Sequence, residues 1–275
     1  MSSNVNVKNQ FTILSFNVLA QAWIDKVLRR SVDNKSYLKR DYRIKKNIEV
    51  IKTINPDFVL LQEVTPYVLK KYKSIMSDYD SCFVEMFWQP YREHHAVNGN
   101  AVMWKKQLID SFECVEYVID KKRGINGIAV IGKLKQSNTH IIVSSIHLEY
   151  GNVLLASKQL NTALNFINKL HNNVSIKDSR ECITIVGGDF NMNTNRLFVK
   201  DVLKDQKFIE ISSSEYRTHP FEDTGEDSAI SHILLRSSIA KKHSCCNPIR
   251  LSISDTLKNF GSDHYPLTAS IKISL

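Results

Sequence analysis

The sequence predicts an α/β fold, a sandwich of two packed sheets covered by helices. Three observations lead there. Apolar runs of strand length recur along the chain, a few helical-period segments lie between them, and the runs end on polar residues. With 275 residues, 43% of them hydrophobic, the chain is long enough to bury a sizeable core. No internal repeat, low-complexity tract or Pro/Gly-rich linker divides it, so residues 1–275 are read as one domain with a polar N-terminal arm at 1–10.

Phe11 to Phe16 is a strand pattern ending at Asn17. Asp41 to Ile54 carries Ile44, Ile48, Ile51 and Ile54 on one helical face, stopped by Asn55-Pro56-Asp57. Phe58 to Leu61 is a buried-strand run that delivers Gln62 and Glu63. Ala101 to Trp104 follows the Asn98-Gly99 turn signal. Ile125 to Leu134 and His140 to Ile146 form two strands joined by a polar turn around Gln136-Ser137-Asn138, the second ending at His147. Val153 to Leu170 is a helix with Leu160, Ala163, Leu164, Ile167 and Leu170 on one side. Cys182 to Val186 runs into Gly187-Gly188-Asp189-Phe190-Asn191, and Ile230 to Leu235 and Leu267 to Ile273 complete the strands.

Composition narrows the class. No apolar run approaches the roughly 20 residues of a membrane-spanning helix, and the polar start, Met1 to Gln10, lacks the apolar stretch of a signal peptide. An intracellular protein, cytoplasmic or nuclear or carried in a virion, is expected rather than a secreted one. Cys82, Cys114, Cys182, Cys245 and Cys246 are odd in number and show no CxxC spacing, which predicts free thiols. The formal net charge is +9, and between Lys26 and Lys52 ten Lys/Arg face only Asp33, Asp41 and Glu49. Such a patch favours polyanionic partners, nucleic acid above all, with an anionic membrane surface as the other possibility.

Asn17, Glu63, His147 and Asp189 each lie just past the end of an apolar run. Strand ends gathered on one rim bring such residues together, and core packing gives no reason for acids and amides to recur there. Glu63 leaves a buried strand as a carboxylate, a cost that a hard cation would offset. Asp189 and Asn191 are two apart and point the same way if extended. An acid and an amide so placed can hold a water and a phosphate oxygen. Asp263-His264 joins an acid to a histidine suited to proton transfer or charge stabilisation.

In this order the motifs Ser15-Phe-Asn-Val-Leu19, Leu61-Gln-Glu-Val64, Ser145-Ile-His-Leu-Glu149, Gly188-Asp-Phe-Asn191 and Ser262-Asp-His-Tyr-Pro266 resemble the endonuclease/exonuclease/phosphatase superfamily over residues 11 to 273. The resemblance implies a four-layer α/β sandwich with two mostly antiparallel sheets flanked by helices. It also implies Mg²⁺- or Mn²⁺-dependent cleavage of phosphoester bonds. Glu63, helped by Asn17, would bind metal, with Asp263 supporting the metal region. Asp189 would orient or deprotonate the attacking water, Asn191 and His147 would hold the scissile phosphate, and His264 would stabilise the transition state or transfer a proton. Asn100, Arg123 and Arg43 complete the candidates as substrate-binding residues. The substrate would be RNA, as in the deadenylase-like branch, or DNA, as in the tyrosyl-DNA phosphodiesterase branch.

One position departs from the family pattern. The strand that carries an aspartate to orient the C-terminal histidine resembles Ile230-Ser231-His232-Ile233 here, so Ser231 takes the aspartate's place unless Asp223 or Asp227 substitutes. A serine accepts a hydrogen bond from imidazole but brings no charge. A non-catalytic nucleic-acid binder that kept the fold is therefore the alternative to an enzyme.

Overall fold

The computed structural model describes residues 9–24, 32–86, 97–135, 137, 139–178, 181–213, 218–220, 229–245 and 251–274. Two six-stranded sheets pack face to face. The first has the order β11(Ala240–Cys245), β12(Leu267–Ile273), β1(Gln10–Asn17), β2(Phe58–Val64), β4(Asn98–Lys105), β3(Tyr79–Met86). The second has the order β5(Ile109–Asp120), β6(Ile125–Leu134), β7(His140–His147), β8(Cys182–Asp189), β10(Ser231–Arg236), β9(Ile209–Glu210). In each sheet the central pair, β1/β2 or β7/β8, is parallel and the other neighbours are antiparallel. Each sheet is thus a hairpin, a parallel pair and a second antiparallel pair. This twofold likeness of topology leaves no repeat in the sequence.

Side-chain alternation builds the layers. Ile13, Phe58, Leu60, Val102, Trp104, Ile128, Val143, Ile185 and Ile233 meet between the sheets. Leu14, Phe16, Val59 and Leu61 point the other way, onto α2(Arg40–Ile54) and α3(Pro66–Ile75). Ile142, Ile146, Val186 and Leu234 likewise pack on α4(Val153–Asp178) and α5(Leu197–Asp205). The result is the four-layer α/β sandwich. Beside these, α1(Gln21–Trp23), a 3-10 turn at Lys35–Leu38 and α6(Ile253–Phe260) frame a smaller cluster of Leu19, Ile24, Val32, Leu38 and Leu257.

The strands with fully buried sequences match the apolar runs. β3, β5 and β11 do not, because they are edge strands: β3 alternates buried with partly exposed residues, and β5 and β11 are exposed over most of their length. The expectation of free thiols needs correcting for one pair: Cys82 on β3 and Cys114 on β5 are joined as a disulfide, with Cα atoms 6.2 Å apart. They come from edges of different sheets, so no sequence spacing could announce the pairing. Cys182 and Cys245 are free, and Cys246 lies outside the described residues. No helix among the described residues is long and apolar enough to cross a membrane.

Candidate active site

The two parallel pairs end at the same rim. Inward-facing positions alternate along each strand, and the last of them are Asn17 on β1, Asn100 on β4, His147 on β7, Asp189 on β8 and Ser231 on β10. His147 and Ser231 lie directly across from Asp189 on its two flanking strands. The mouth between the sheets is therefore polar where the layer below is apolar. Gly188 permits the close approach of β7 and β8: a Cβ there would stand 1.8 Å from the Ile146 carbonyl oxygen.

Glu63 reaches this mouth by a different device. By alternation it belongs on the helix side, with Leu61. The β2/β4 register shifts between Leu61 and Val64, and Glu63 is left-handed at φ 58°. A bulge of this kind re-aims a side chain. Glu63 Oε1 then accepts from Asn17 Nδ2 at 2.9 Å and Oε2 from the Ala20 amide at 2.7 Å. Leu19 and Asn191, both beside the site, are also left-handed, at φ 59° and 51°. Strained non-glycine backbone gathered at one rim is a mark of a functional site.

Asp189 Oδ2 is the hub. Asn17 Nδ2 donates to it at 3.0 Å, and His264 Nε2 and His147 Nε2 stand 3.5 and 3.7 Å away. Asn191 does not extend alongside Asp189 as its spacing suggests. Its backbone turns, its amide N–H donates to Asp189 Oδ1 at 3.0 Å, and its side-chain Nδ2 donates to the Leu148 carbonyl at 2.9 Å. Burial pushes the Asp189 carboxyl up, but His264, His147 and the Asn17 and Asn191 N–H groups outweigh that and leave it below its ordinary range. Glu63 is raised, chiefly by burial and further by Asp263. These three buried acids share one mouth, an arrangement that a divalent cation would relieve.

The C-terminal motif is stitched to β1. Ser262 Oγ donates to the Asn17 carbonyl at 2.6 Å and accepts from the His264 amide at 3.1 Å. Burial holds His264 down at about 4 against the pull of Asp189, and its Nδ1 is buried without a hydrogen-bond partner, as is Ser231 Oγ. Ser231 therefore does not bond to His264, and Asp223 and Asp227 lie outside the described residues.

The three substrate candidates fare differently. Asn100 sits on the rim, its Nδ2 on the Asn126 carbonyl at 2.9 Å and its Oδ1 buried without a partner. Arg123 is half exposed and pairs with Glu149 at 2.7 Å. Arg43 lies beneath the site: Nη1 holds the carbonyls of Val18, Leu19 and Gly261 at 3.1, 2.6 and 3.4 Å, tying the Asn17–Ala20 loop to the Ser262–His264 loop. Its neighbour Arg40, exposed on α2, lines the cleft beside Glu63. Of the basic stretch, Lys26, Arg29 and Arg30 lie outside the described residues, while Lys35, Lys39, Lys45 and Lys52 are exposed.

Sequence reasoning missed His219. Thr218 straps it into place: Thr218 Oγ1 accepts from the Ile230 and Ser231 amides, each at 2.9 Å, and the Thr218 carbonyl accepts from Tyr265 N–H. His219 Nε2 is 3.4 Å from Asp263 Oδ2, and its ring meets that of His264 edge-on with centroids 4.7 Å apart. The one local signal was a Thr-His-Pro triplet in a polar stretch.

A buried ion pair supports the rim from outside. His232 Nδ1 donates to Glu210 Oε1 at 2.7 Å, and Nε2 donates to the Met192 and Ala229 carbonyls at 2.9 and 3.0 Å. With both nitrogens donating, the ring is an imidazolium; burial disfavours it, and Glu210 and the carbonyls more than compensate. Glu210→Ala is expected to cost about 3–5 kcal/mol in urea denaturation by stranding that charge. A loss under about 1 kcal/mol would show the pair to be dispensable.

Acid stability follows from His264 and His171, both held at about 4 mainly by burial. Each is neutral in the folded chain where the unfolded chain binds a proton, so their contribution is intact above about pH 6.5 and is lost as pH falls toward 4. His232 has the opposite sign, its contribution complete below pH 6.5 and lost above it. Metal-free protein should therefore lose up to about 3 kcal/mol at His264, and less at half-buried His171, between pH 6.5 and 4. His264→Gln should flatten that slope; an unchanged slope would mean that His264 is protonated in the fold.

The fold has counterparts among known proteins. A model of the endonuclease/exonuclease/phosphatase family matches residues 14–264. No curated protein matches. Among solved structures, the human Nocturnin catalytic domain with bound sulfate superposes with TM-score 0.74 and 19% identity over 98% of this chain and 97% of that one. ANGEL2, a 2′,3′-cyclic phosphatase, gives 0.76 and 17% over 98% and 97%. D. rerio TDP2 in complex with a single-strand DNA product gives 0.66 and 17% over 96% and 100%.

Proposed function

Because the chain belongs to the endonuclease/exonuclease/phosphatase family, we propose that it is a divalent-metal-dependent phosphodiesterase acting on nucleic acid. The observation that carries this reading is the convergence on Asp189 Oδ2 of Asn17, His264 and His147 beside a second carboxylate, Glu63. Asp189, ionised and turned toward two imidazoles, orients the attacking water and takes its proton. His147 and Asn191 hold the scissile phosphate, and His264 faces the charge that develops on it. Asn100 and Arg123 on the rim, with exposed Arg40, contact the flanking phosphates.

The donor set suits Mg²⁺ or Mn²⁺: buried carboxylate oxygens of Glu63 and Asp263, with the Asn17 amide as a neighbour. When bound, the ion would neutralise phosphate charge and lower the pKa of water. RNA and DNA remain the two substrate classes. The solved neighbours carry a 2′,3′-cyclic phosphatase and a protein bound to single-strand DNA product, and the basic face around α2 suits either polymer.

A second reading, a nucleic-acid binder without turnover, draws on the two unbonded atoms, Ser231 Oγ and His264 Nδ1. The test is a panel of poly(A) RNA, RNA ending in a 2′,3′-cyclic phosphate and 5′-tyrosyl single-strand DNA, each with Mg²⁺ or Mn²⁺. Metal-dependent hydrolysis of one substrate supports the enzyme. Binding of all with hydrolysis of none supports the second reading.

A further inference from the structure

We propose that His219, Asp263 and His264 form a second cation site, for a borderline transition ion such as Zn²⁺, and that filling it withdraws His264 from phosphodiester chemistry. The inhibitory half rests on the phosphodiesterase reading; the binding half does not.

Ligand atoms of the three residues lie within 4.8 Å of one another, and all three side chains are largely buried. His219 Nε2 and Asp263 Oδ2 are 3.4 Å apart. That is about the separation of two ligands on a tetrahedral ion with bonds of roughly 2.0–2.2 Å. His264 is the third, its ring already against that of His219 and its ligand atom within 4.8 Å of the other two, so a small side-chain adjustment closes the set. One of its ring nitrogens, Nδ1, is buried without a partner. With serine at 231, no carboxylate from β10 competes for that imidazole.

The site shares Asp263 with the oxygen-rich group around Glu63 and differs from it in its donor chemistry. Two imidazoles and one carboxylate suit zinc and its neighbours, whereas Mg²⁺ keeps its waters and prefers oxygen. The two ligand segments are held independently of any ion. Tyr265 N–H donates to the Thr218 carbonyl at 2.9 Å, and Ser262 Oγ binds the His264 amide. A supporting shell of this kind orients ligands before the metal arrives.

The experiment uses the metal-free full chain. Zn²⁺ is titrated by calorimetry, Co²⁺ by visible absorption as a probe of nitrogen ligation, and Tm is followed with and without Zn²⁺. One Zn²⁺ should bind, raise Tm and resist excess Mg²⁺, and Glu63→Gln should bind it equally. His219→Ala should bind at least about 100-fold more weakly. His219→Gln guards against a folding defect, with far-UV circular dichroism to show that the variant is folded. On the hydrolysed substrate, Zn²⁺ should inhibit wild type and should need at least about 100-fold more to inhibit His219→Ala. Undiminished Zn²⁺ binding in both folded His219 variants overturns the site. So does binding lost in Glu63→Gln and kept in the His219 variants, since the ion would then sit on the acids. If no substrate is hydrolysed, the phosphodiesterase reading fails while the calorimetry still decides the site.

Discussion

Asp189→Asn is expected to lower kcat by about 10³–10⁴-fold while the protein stays folded. The change is nearly isosteric but reverses the hydrogen-bond logic. Oδ2 now accepts from Asn17 Nδ2 at 3.0 Å and faces two imidazoles, and Oδ1 accepts from the Asn191 amide. An asparagine must aim its NH₂ either at the Asn17 donor or at the Asn191 donor, so one contact is lost in each orientation. It also removes the base. Single-turnover kinetics with a circular dichroism melt would separate the two effects. Retention of more than a tenth of the wild-type rate would remove Asp189 from the centre of the mechanism.

Ser231→Asp is expected to raise kcat by at least about 10-fold, within the roughly 10⁴-fold that an orienting carboxylate can contribute. Ser231 lies across from Asp189 in register, its Oγ is buried without a partner, and so is His264 Nδ1. A carboxylate at 231 would accept a hydrogen bond from Nδ1–H, fix the ring with Nε2 toward Asp189, and lift His264 above about 4. The acid limb of the pH–rate profile that belongs to His264 should therefore move to higher pH. An unchanged rate and an unchanged profile would mean that another group already orients the ring.

Most of this site was legible because it uses the simplest rule of a sheet. Asn17, His147 and Asp189 are where inward-facing apolar positions give way to polar ones, so the end of each run named its residue. Glu63 was legible only as a strand-end acid; the bulge that turns it into the mouth depends on β4 and cannot be seen in β2 alone. Arg43 shows the opposite case. Its place in a basic stretch suggested substrate contact, but its spacing on α2 with Ile44 and Asn47 puts it on the buried side, where loop carbonyls take its charge. His219 and the Cys82–Cys114 pair were hidden because each is made by segments that meet only in the fold. The edge strands β5 and β11 were missed for a solvent reason, since a strand with one wet face has no apolar run.

The most direct test of the carboxylate site is the Mg²⁺ dependence of hydrolysis in wild type and Glu63→Gln, read on whichever substrate the panel selects. Glutamine keeps the shape of the group and loses its charge, together with one of the two contacts in which Glu63 Oε1 and Oε2 accept from Asn17 Nδ2 and the Ala20 amide. Wild type should show saturable activation by Mg²⁺ and none in chelator. Glu63→Gln should need at least about 100-fold more metal or show no turnover. Equal activation curves for the two proteins, or full activity in chelator, would contradict the account.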